Sequence, residues 1–571
     1  MNSGESTNSA IRKIFSGITD LKKQPWSSLW KERIIQYLFI FDIVAILGSL
    51  TIWFFHLAPT HSDNSLYFTS AMVQAQAAIV SLVITLTLIA IQMAAASYTP
   101  RVVDVMKKNP DLWLLLIIYV GAISYGFFIL KIVGDSDRFL VSSVFLLGIF
   151  SFLTLFLYMK NTIALLRPDE IVKMLVDEIN DENIHEKEWT DDIMQPVFVV
   201  VHASINRFDV TTTRIGINSL SERLLKIFQG FDNSSKKDIT KHFCDHIRRS
   251  ALVALQNDDE GILEEIITVL EKHGIARCKY NDSNIVRPVI KTIEFISLRC
   301  VERNLSGATI HSSQALEQIC QHAFRNELDD ATLRITYALY RIGVSAADNG
   351  MEEPSEKIVL ALKPIGIQSA EKLLQMGKDQ SDKAYSYSST LFRVISLCGG
   401  VGQHAADKKL DRAVMQISAI YREWGNTPAI YMNYILIDRM AMDLGTIGRK
   451  ATSVGLDIAW SVAGVLGLIG ERASHLEMED VLKRCTESLR DMGIQTITSG
   501  RMQGPIFDSV IRALYGIGCT DFGKNEAARH IAELSTYNKI RIAQLINEYR
   551  SKLTPNKIPK FESLLEAVDQ Y

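Results

Sequence analysis

One carboxylate stands inside the first long apolar stretch of the chain. Asp42 lies in IIQYLFIFDIVAILGSLTIWFFHL, nine residues past Arg33, or about 13 Å along a helix axis. In hydrocarbon such a group must be protonated, paired, or turned toward protein or water. Two chemistries fit: a proton or cation site, or a hydrogen-bonded acid tying the first apolar segment to the second through Gln92 or Ser97. The second segment, AMVQAQAAIVSLVITLTLIAIQMAAAS, supplies the other polar groups. Gln74, Ala78, Ser81, Thr85, Leu88, Gln92, Ala95 and Thr99 recur every three or four residues, so they share one helix face. Small and hydroxyl residues in such a row pack membrane helices together. Repeated around an oligomer, the same row lines a pathway, with Gln74 and Gln92 as polar rings. Gln92 is expected at a depth comparable to Asp42. The row ends at Ser97-Tyr98-Thr99-Pro100-Arg101, where proline disfavours further helix and Arg101 meets the headgroups.

Reaction chemistry is harder to find. His242 and His246 form an i, i+4 pair, but no third ligand stands at metal-site spacing, and the pair reads as an exposed polar face. Asn257-Asp258-Asp259-Glu260-Gly261 lacks the spaced ligands of a calcium loop and reads as a helix–helix turn. No Walker loop, GxSxG, HExxH or Rossmann fingerprint occurs. The sequence therefore predicts no enzyme, no catalytic residue, no metal and no cofactor. Lys and Arg number 61 against 64 Asp and Glu, so no basic field invites nucleic acid. The seven cysteines all follow the apolar region at wide, irregular spacing, which suits a reducing compartment.

Four apolar segments must position the polar row: about 34–57, 71–97, 112–133 and 139–159. Each is long enough to cross roughly 30 Å of hydrocarbon. Arg12, Lys13, Lys22, Lys23, Lys31 and Arg33 precede the first segment, and residues 58–70 carry no Lys or Arg. Arg101, Lys107 and Lys108 follow the second, and Lys160, Arg167 and Lys173 follow the fourth. This asymmetry predicts a multi-pass protein of the cell membrane with both termini cytoplasmic. Residues 1–33 read as an amphipathic interfacial segment anchored by Trp26 and Trp30, with no secretory signal.

LTLIAIQMAAASYTPRVV resembles the signature of a predicted membrane protein family known as domain of unknown function twenty-two fifty-four. The matching residues are Ser81, Leu86, Thr87, Leu88, Gln92, Ser97, Tyr98, Thr99, Pro100 and Arg101, and the likeness spans about residues 30–170. It implies four N-terminal spans and a comparable second span with a Ser/Thr-Pro-Arg exit. The family's usual soluble part carries an Asn-Asp-Pro motif that this chain lacks. The resemblance brings no established activity.

Beyond Arg167 the periodicity is helical, including VFVVVHASI after Pro196. Leu-x-x-Ile/Met-Gly recurs at Leu339–Gly343, Leu362–Gly366, Leu444–Gly448, Leu466–Gly470, Leu489–Gly493 and Leu514–Gly518. Ala346, Ala451 and Ala473 stand three residues after the glycine. Fainter copies occur at Leu270–Gly274 and Ser396–Gly400. Neighbouring copies lie 22–25 residues apart, one helix plus a turn, so pairs make a HEAT-like unit. The predicted fold is an all-α membrane protein: four transmembrane helices over 34–166, a degenerate helical region over 167–330, and a helical repeat domain over 331–571. The leading expectation is a membrane anchor for a cytoplasmic interaction or scaffold domain with a protein partner. The alternative is a homo-oligomeric ion channel or transporter whose second span lines the pathway.

Overall fold

The computed structural model describes residues 26–55, 62–97, 110–132, 138–165, 167–179, 193–376, 382–431, 433–501 and 504–571. Its regular elements are all helical, with no strand among the described residues. The chain divides into two compact units, Met1–Ile227 and Phe228–Tyr571.

In the first unit the apolar runs become four long helices: α1 (Trp26–Phe55), α2 (Ser62–Ser97), α3 (Pro110–Ile132) and α4 (Arg138–Leu165). Each contains a window apolar and long enough to span a bilayer: Arg33–Leu50, Leu66–Ile89, Pro110–Lys131 and Leu140–Asn161. Proline opens α3 at the position where a missing N–H costs nothing. α3 and α4 pair at the centre, and α1 and α2 each pack on that pair rather than on each other. Small residues permit these contacts: Gly48 faces Leu146, Gly126 faces Val73, and Gly148 lies under Met72 and Gln76. Three shorter helices follow: α5 (Pro168–Asp177), α6 (Gln195–Asn206) and α7 (Val210–Ile227). The β-branched run after Pro196 is helical, as its surroundings predicted.

The second unit is a two-layer array of antiparallel helices. In chain order they are α8 (Asn233–Gln256), α9 (Glu260–Cys278), α10 (Ser283–Glu302), α11 (Ser306–Arg325), α12 (Asp329–Asp348), α13 (Glu352–Met376), α14 (Asp382–Asp407) and α15 (Asp411–Gly425). A single turn, α16 (Pro428–Tyr431), interrupts the alternation. Then come α17 (Tyr434–Val454), α18 (Ala459–His475), α19 (Glu479–Thr498), α20 (Pro505–Gly518), α21 (Lys524–Tyr537), α22 (Lys539–Lys552) and α23 (Ile558–Gln570). Each helix packs on its sequence neighbour and on the next helix of its own layer. One layer runs α8, α10, α12, α14, α17, α19, α21, α23; the other runs α9, α11, α13, α15, α18, α20. This alternation is already present at α8, well before the first strong copy of the motif.

The Leu-x-x-Ile/Met-Gly motif is the buried face of each helix. Leu339, Ile342, Leu444, Ile447, Leu466 and Ile469 are all 0% exposed. The glycine is a socket for the next helix of the layer, as where Gly343 faces Val401, Gly448 faces Met492 and Gly470 faces Ile517, while Gly518 takes Leu564 from α23 of the other layer. The alanine three residues on belongs to the turn. The N–H of Met351 bonds the carbonyl of Ala346, that of Leu456 bonds Ala451, and that of Met478 bonds Ala473. These are Schellman closures, completed by a left-handed residue just before the donor: Gly350, Gly455 and Glu477.

Two glycines separate two consequences of this packing. A methyl added to Gly467 would sit 2.7 Å from Cβ and 3.0 Å from Cα of Ala513, so α18 and α20 must part. Gly467→Ala is expected to destabilise by about 1–3 kcal/mol, despite alanine's better helix propensity. The methyl of Gly448→Ala meets chiefly the flexible Met492 thioether, at 2.5 Å from Sδ, with Val462 Cγ1 at 3.2 Å, and should stay within about 1 kcal/mol of wild type. Urea unfolding of the two full-length variants checks this; equal stabilities would refute the socket geometry.

Candidate functional site: the outward face of the second span

The polar row on α2 turns away from its own bundle. Gln74, Ala78, Ser81, Thr85, Leu88 and Gln92 are all exposed. The opposite face, with Thr69, Val73, Gln76 and Val83, is the one buried against α3 and α4. Gln74 donates to Ser70 in its own helix (3.4 Å), and the Thr85 hydroxyl donates to the Ser81 carbonyl at 2.9 Å. Ser97 ends the helix, while Tyr98, Thr99, Pro100 and Arg101 lie outside the described residues. Most of the amphipathic segment, residues 1–25, does so too.

Asp42 is also exposed. It lies on the side of α1 opposite Tyr37 and Val44, which are buried in the bundle. A tie from Asp42 to Gln92 within one chain is not made, because α1 and α2 flank the central pair on separate sides. Their depths differ as well. The Asp111 contacts put Arg33, Tyr37, Asp111 and Asn161 at one level. Thr87 meets the Tyr158 hydroxyl at 2.6 Å, three residues inward of Asn161. Counting about 1.5 Å per residue from these markers, Asp42 comes level with Ser81–Thr85, and Gln92 sits near the Asp111 level.

The buried carboxylate of this bundle is one the sequence did not single out. Asp111, 1% exposed, accepts hydrogen bonds from Tyr37 (3.4 Å) and Asn161 (3.3 Å) and pairs with Arg33 at 3.4 Å. It joins α1, α3 and α4 where α3 begins, and its charge also suits a helix N-terminus. Its position after Asn109-Pro110, beside a span, was the available signal.

Residues 38–199 match the family model described as "Predicted membrane protein (DUF2254)". The four spans are a membrane domain, and the match continues into the short helices that follow them. No curated protein matches the chain. Two solved structures are similar to it. One is titled "Circular tandem repeat protein with novel repeat topology and enhanced subunit contact surfaces", with 14% identity over 71% of this chain and 96% of that one and a TM-score of 0.33. The other is an engineered protein, with 13% identity over 70% of this chain and 98% of that one and a TM-score of 0.19.

The repeat unit has its own candidates. His242 and His246 are stacked edge to face at 5.1 Å on α8. His246 is only 3% exposed, so this is not the solvated face expected, because it shares the turn of α8 that buries Phe243 and Ile247. Among the described residues no cluster of His, Cys, Asp and Glu could hold a metal ion. Asn257–Gly261 is a turn: Asp258 is left-handed and Asp259 caps α9 through the Ile262 N–H. Arg277 is a buried cation laid 3.3 Å over the Phe228 ring, and burial lowers its pKa to about 10. Asp443 is 0% exposed on α17. Burial raises its carboxyl to about 7 against the opposing pull of Arg439. Its partners are Arg439 (3.0 Å) and the Tyr421 hydroxyl (3.4 Å), which also donates to the Ile395 carbonyl at 2.6 Å.

A trough of about 380 Å³ opens between α18 and α20. Gly464 and Gly516 leave part of its floor bare, Trp460 and Tyr549 stand at its sides, and Glu471, Ser509 and Arg512 also line it. Above Gly464 the nearest atom to an added Cβ is the Arg422 guanidinium, 4.0 Å away.

Proposed function

We propose that the chain is a multi-pass protein of the cell membrane, both termini cytoplasmic, whose repeat unit holds a cytoplasmic protein partner. The glycine-floored trough carries this reading. An aromatic-walled slot on a solenoid layer suits an anchor side chain from another protein. Its test is panning a random peptide library on the purified full-length protein. Enrichment of peptides with one large apolar residue is expected, with binding lost in Gly464→Arg, which fills the slot without touching the core. No enrichment, or binding indifferent to Gly464→Arg, overturns the reading. Cysteine labelling at Thr60 and Ser136 tests the orientation; reaction from the cytoplasmic side would reverse it.

A second reading has its own observation. The α2 row is exposed rather than spent on intrachain packing, which favours an oligomer with the second span along an ion pathway. Ion flux into liposomes, altered by Gln92→Leu or Asp42→Asn, is the expected result. A monomer without flux removes this reading.

A further inference from the structure

We propose that copies of this chain associate head to tail in the membrane, the α1 face bearing Asp42 of one copy seated on the α2 face bearing Ser81 and Thr85 of the next. The inference deepens the oligomer of the second reading and does not depend on conduction.

Three observations meet here. First, both faces are polar and turned away from the rest of the bundle. Asp42 is exposed within the window Arg33–Leu50, and Ser81 and Thr85 are exposed within Leu66–Ile89. Hydrocarbon offers these groups no partner, so a polar surface must cover them. Second, the faces are complementary at one depth. The contacts around Asp111 and Tyr158 put Asp42 level with Ser81–Thr85. A carboxyl and a hydroxyl hydrogen-bond each other in either protonation state. The Thr85 hydroxyl spends its proton on the Ser81 carbonyl, so its oxygen is left to accept, while the Ser81 hydroxyl can donate. Ala78 on the same face lets the neighbouring backbone come close.

Third, the two faces lie on different sides of the bundle. α1 and α2 pack on the α3/α4 pair and not on each other. One chain therefore cannot satisfy its own Asp42 with its own hydroxyls. Two different surfaces that complement each other form a heterologous contact, whose repetition gives a ring where its rotation closes and an open row where it does not, rather than a two-fold dimer. A second copy is the occupant that brings a carboxyl at the matching depth.

Disulfide trapping in membrane vesicles tests the arrangement on full-length protein. The seven native cysteines are all buried in the second unit. Asp42→Cys and Ser81→Cys chains carrying different tags, co-expressed and oxidised, are expected to form a mixed cross-linked dimer. The double variant should give a ladder of higher species. Asp42→Cys with Gln74→Cys, displaced along α2, should not cross-link. Absence of the mixed dimer, or cross-linking of Ser81→Cys only with itself, overturns the proposal. Unsubstituted protein offers an independent arm: photobleaching steps of a labelled chain in lipid should exceed one, and single steps overturn the proposal without any variant. Cross-linking without ion flux supports the arrangement and removes only the pathway reading.

Discussion

Trp424→Ala is expected to cost about 3–5 kcal/mol, the range for emptying a buried tryptophan site. Trp424 is 0% exposed on α15 and stacks on Tyr421 with ring centroids 5.7 Å apart. Its indole fills the socket of Gly366 on α13, where an added Cβ would fall 2.5 Å from Cζ2. Most sockets in the array take an aliphatic side chain, so this is the largest plug. Glycine has nothing to extend into the space the indole leaves. The indole N–H has no hydrogen-bond partner among the described residues, which returns part of the loss, about 1 kcal/mol or more. In a stacked array each helix pair depends on its neighbours, so the damage should be local. Amide exchange over Glu352–Met376 and Asp411–Gly425 is expected to accelerate by about 10²–10³, since each 1.4 kcal/mol is tenfold. Exchange in α8 and α9 should not change. Trp424→Phe should lose much less. Unaltered exchange around Gly366 would mean that the socket does not bind α13 to α15.

The socket is also where the sequence was most informative. A glycine next to buried Leu and Ile in register is readable because its spacing repeats, and the structure gives each motif glycine a side chain from a later helix, of the same layer for all but Gly518. The turns were less readable. Asn304, Glu327, Lys409 and Glu477 adopt positive φ with no glycine to announce it. Their conformation follows from the closure around them: Leu305, Leu328, Leu410 and Met478 bond carbonyls five residues back. The strain at the left-handed residue, about 1–2 kcal/mol, is offset by that bond and by the apolar residue that follows. Propensity alone could not predict it. Asp443 was hidden for a related reason. It precedes Leu444 of a motif copy, and its spacing from Met440 and Ile447 puts it on the buried face, but an acid there is read as surface until its partners are seen. The hydroxyl that reaches it comes from Tyr421 on α15, itself held by the Ile395 carbonyl on α14, at separations no local pattern encodes.

In the membrane half, length and hydropathy were enough to find the spans. The face of α2 was also legible, but not its direction. A row of Gln, Ser and Thr reads equally as intrachain packing or as an outer surface, and only the alternation of Val73, Gln76 and Val83 against α3 and α4 decides it. Asp42 drew notice because it interrupts an apolar run. Asp111 did not, because an acid at the start of a span looks interfacial, and its burial depends on Arg33, Tyr37 and Asn161 arriving from two other helices.

Asp443→Asn is expected to make the protein more stable at pH 8 and to flatten its pH dependence. The Asp443 carboxyl titrates near 7 in the folded chain against 3.8 when free, chiefly because burial disfavours its charge. Between those values the folded chain holds a proton that the unfolded chain has lost. Stability contributed by this group therefore falls as pH rises from about 4 to about 7, and is constant above that. Some three units at 1.36 kcal/mol each set an upper bound of about 4 kcal/mol. Asparagine keeps an acceptor for Tyr421 and carries no charge to desolvate. It gives up the ion pair with Arg439, whose side chain is 26% exposed and can turn to water. The net gain at pH 8 should be about 1–3 kcal/mol, shrinking toward zero or reversing below pH 4. Gly399 makes the site tight, since a Cβ there would fall 2.3 Å from the Asp443 Cγ, so no water shell forms on that side to hold the ionised form. Urea midpoints of both full-length proteins at pH 4, 6 and 8 give the comparison. Parallel pH profiles for wild type and Asp443→Asn would show that the carboxyl stays ionised throughout, held by Arg439 rather than governed by its burial.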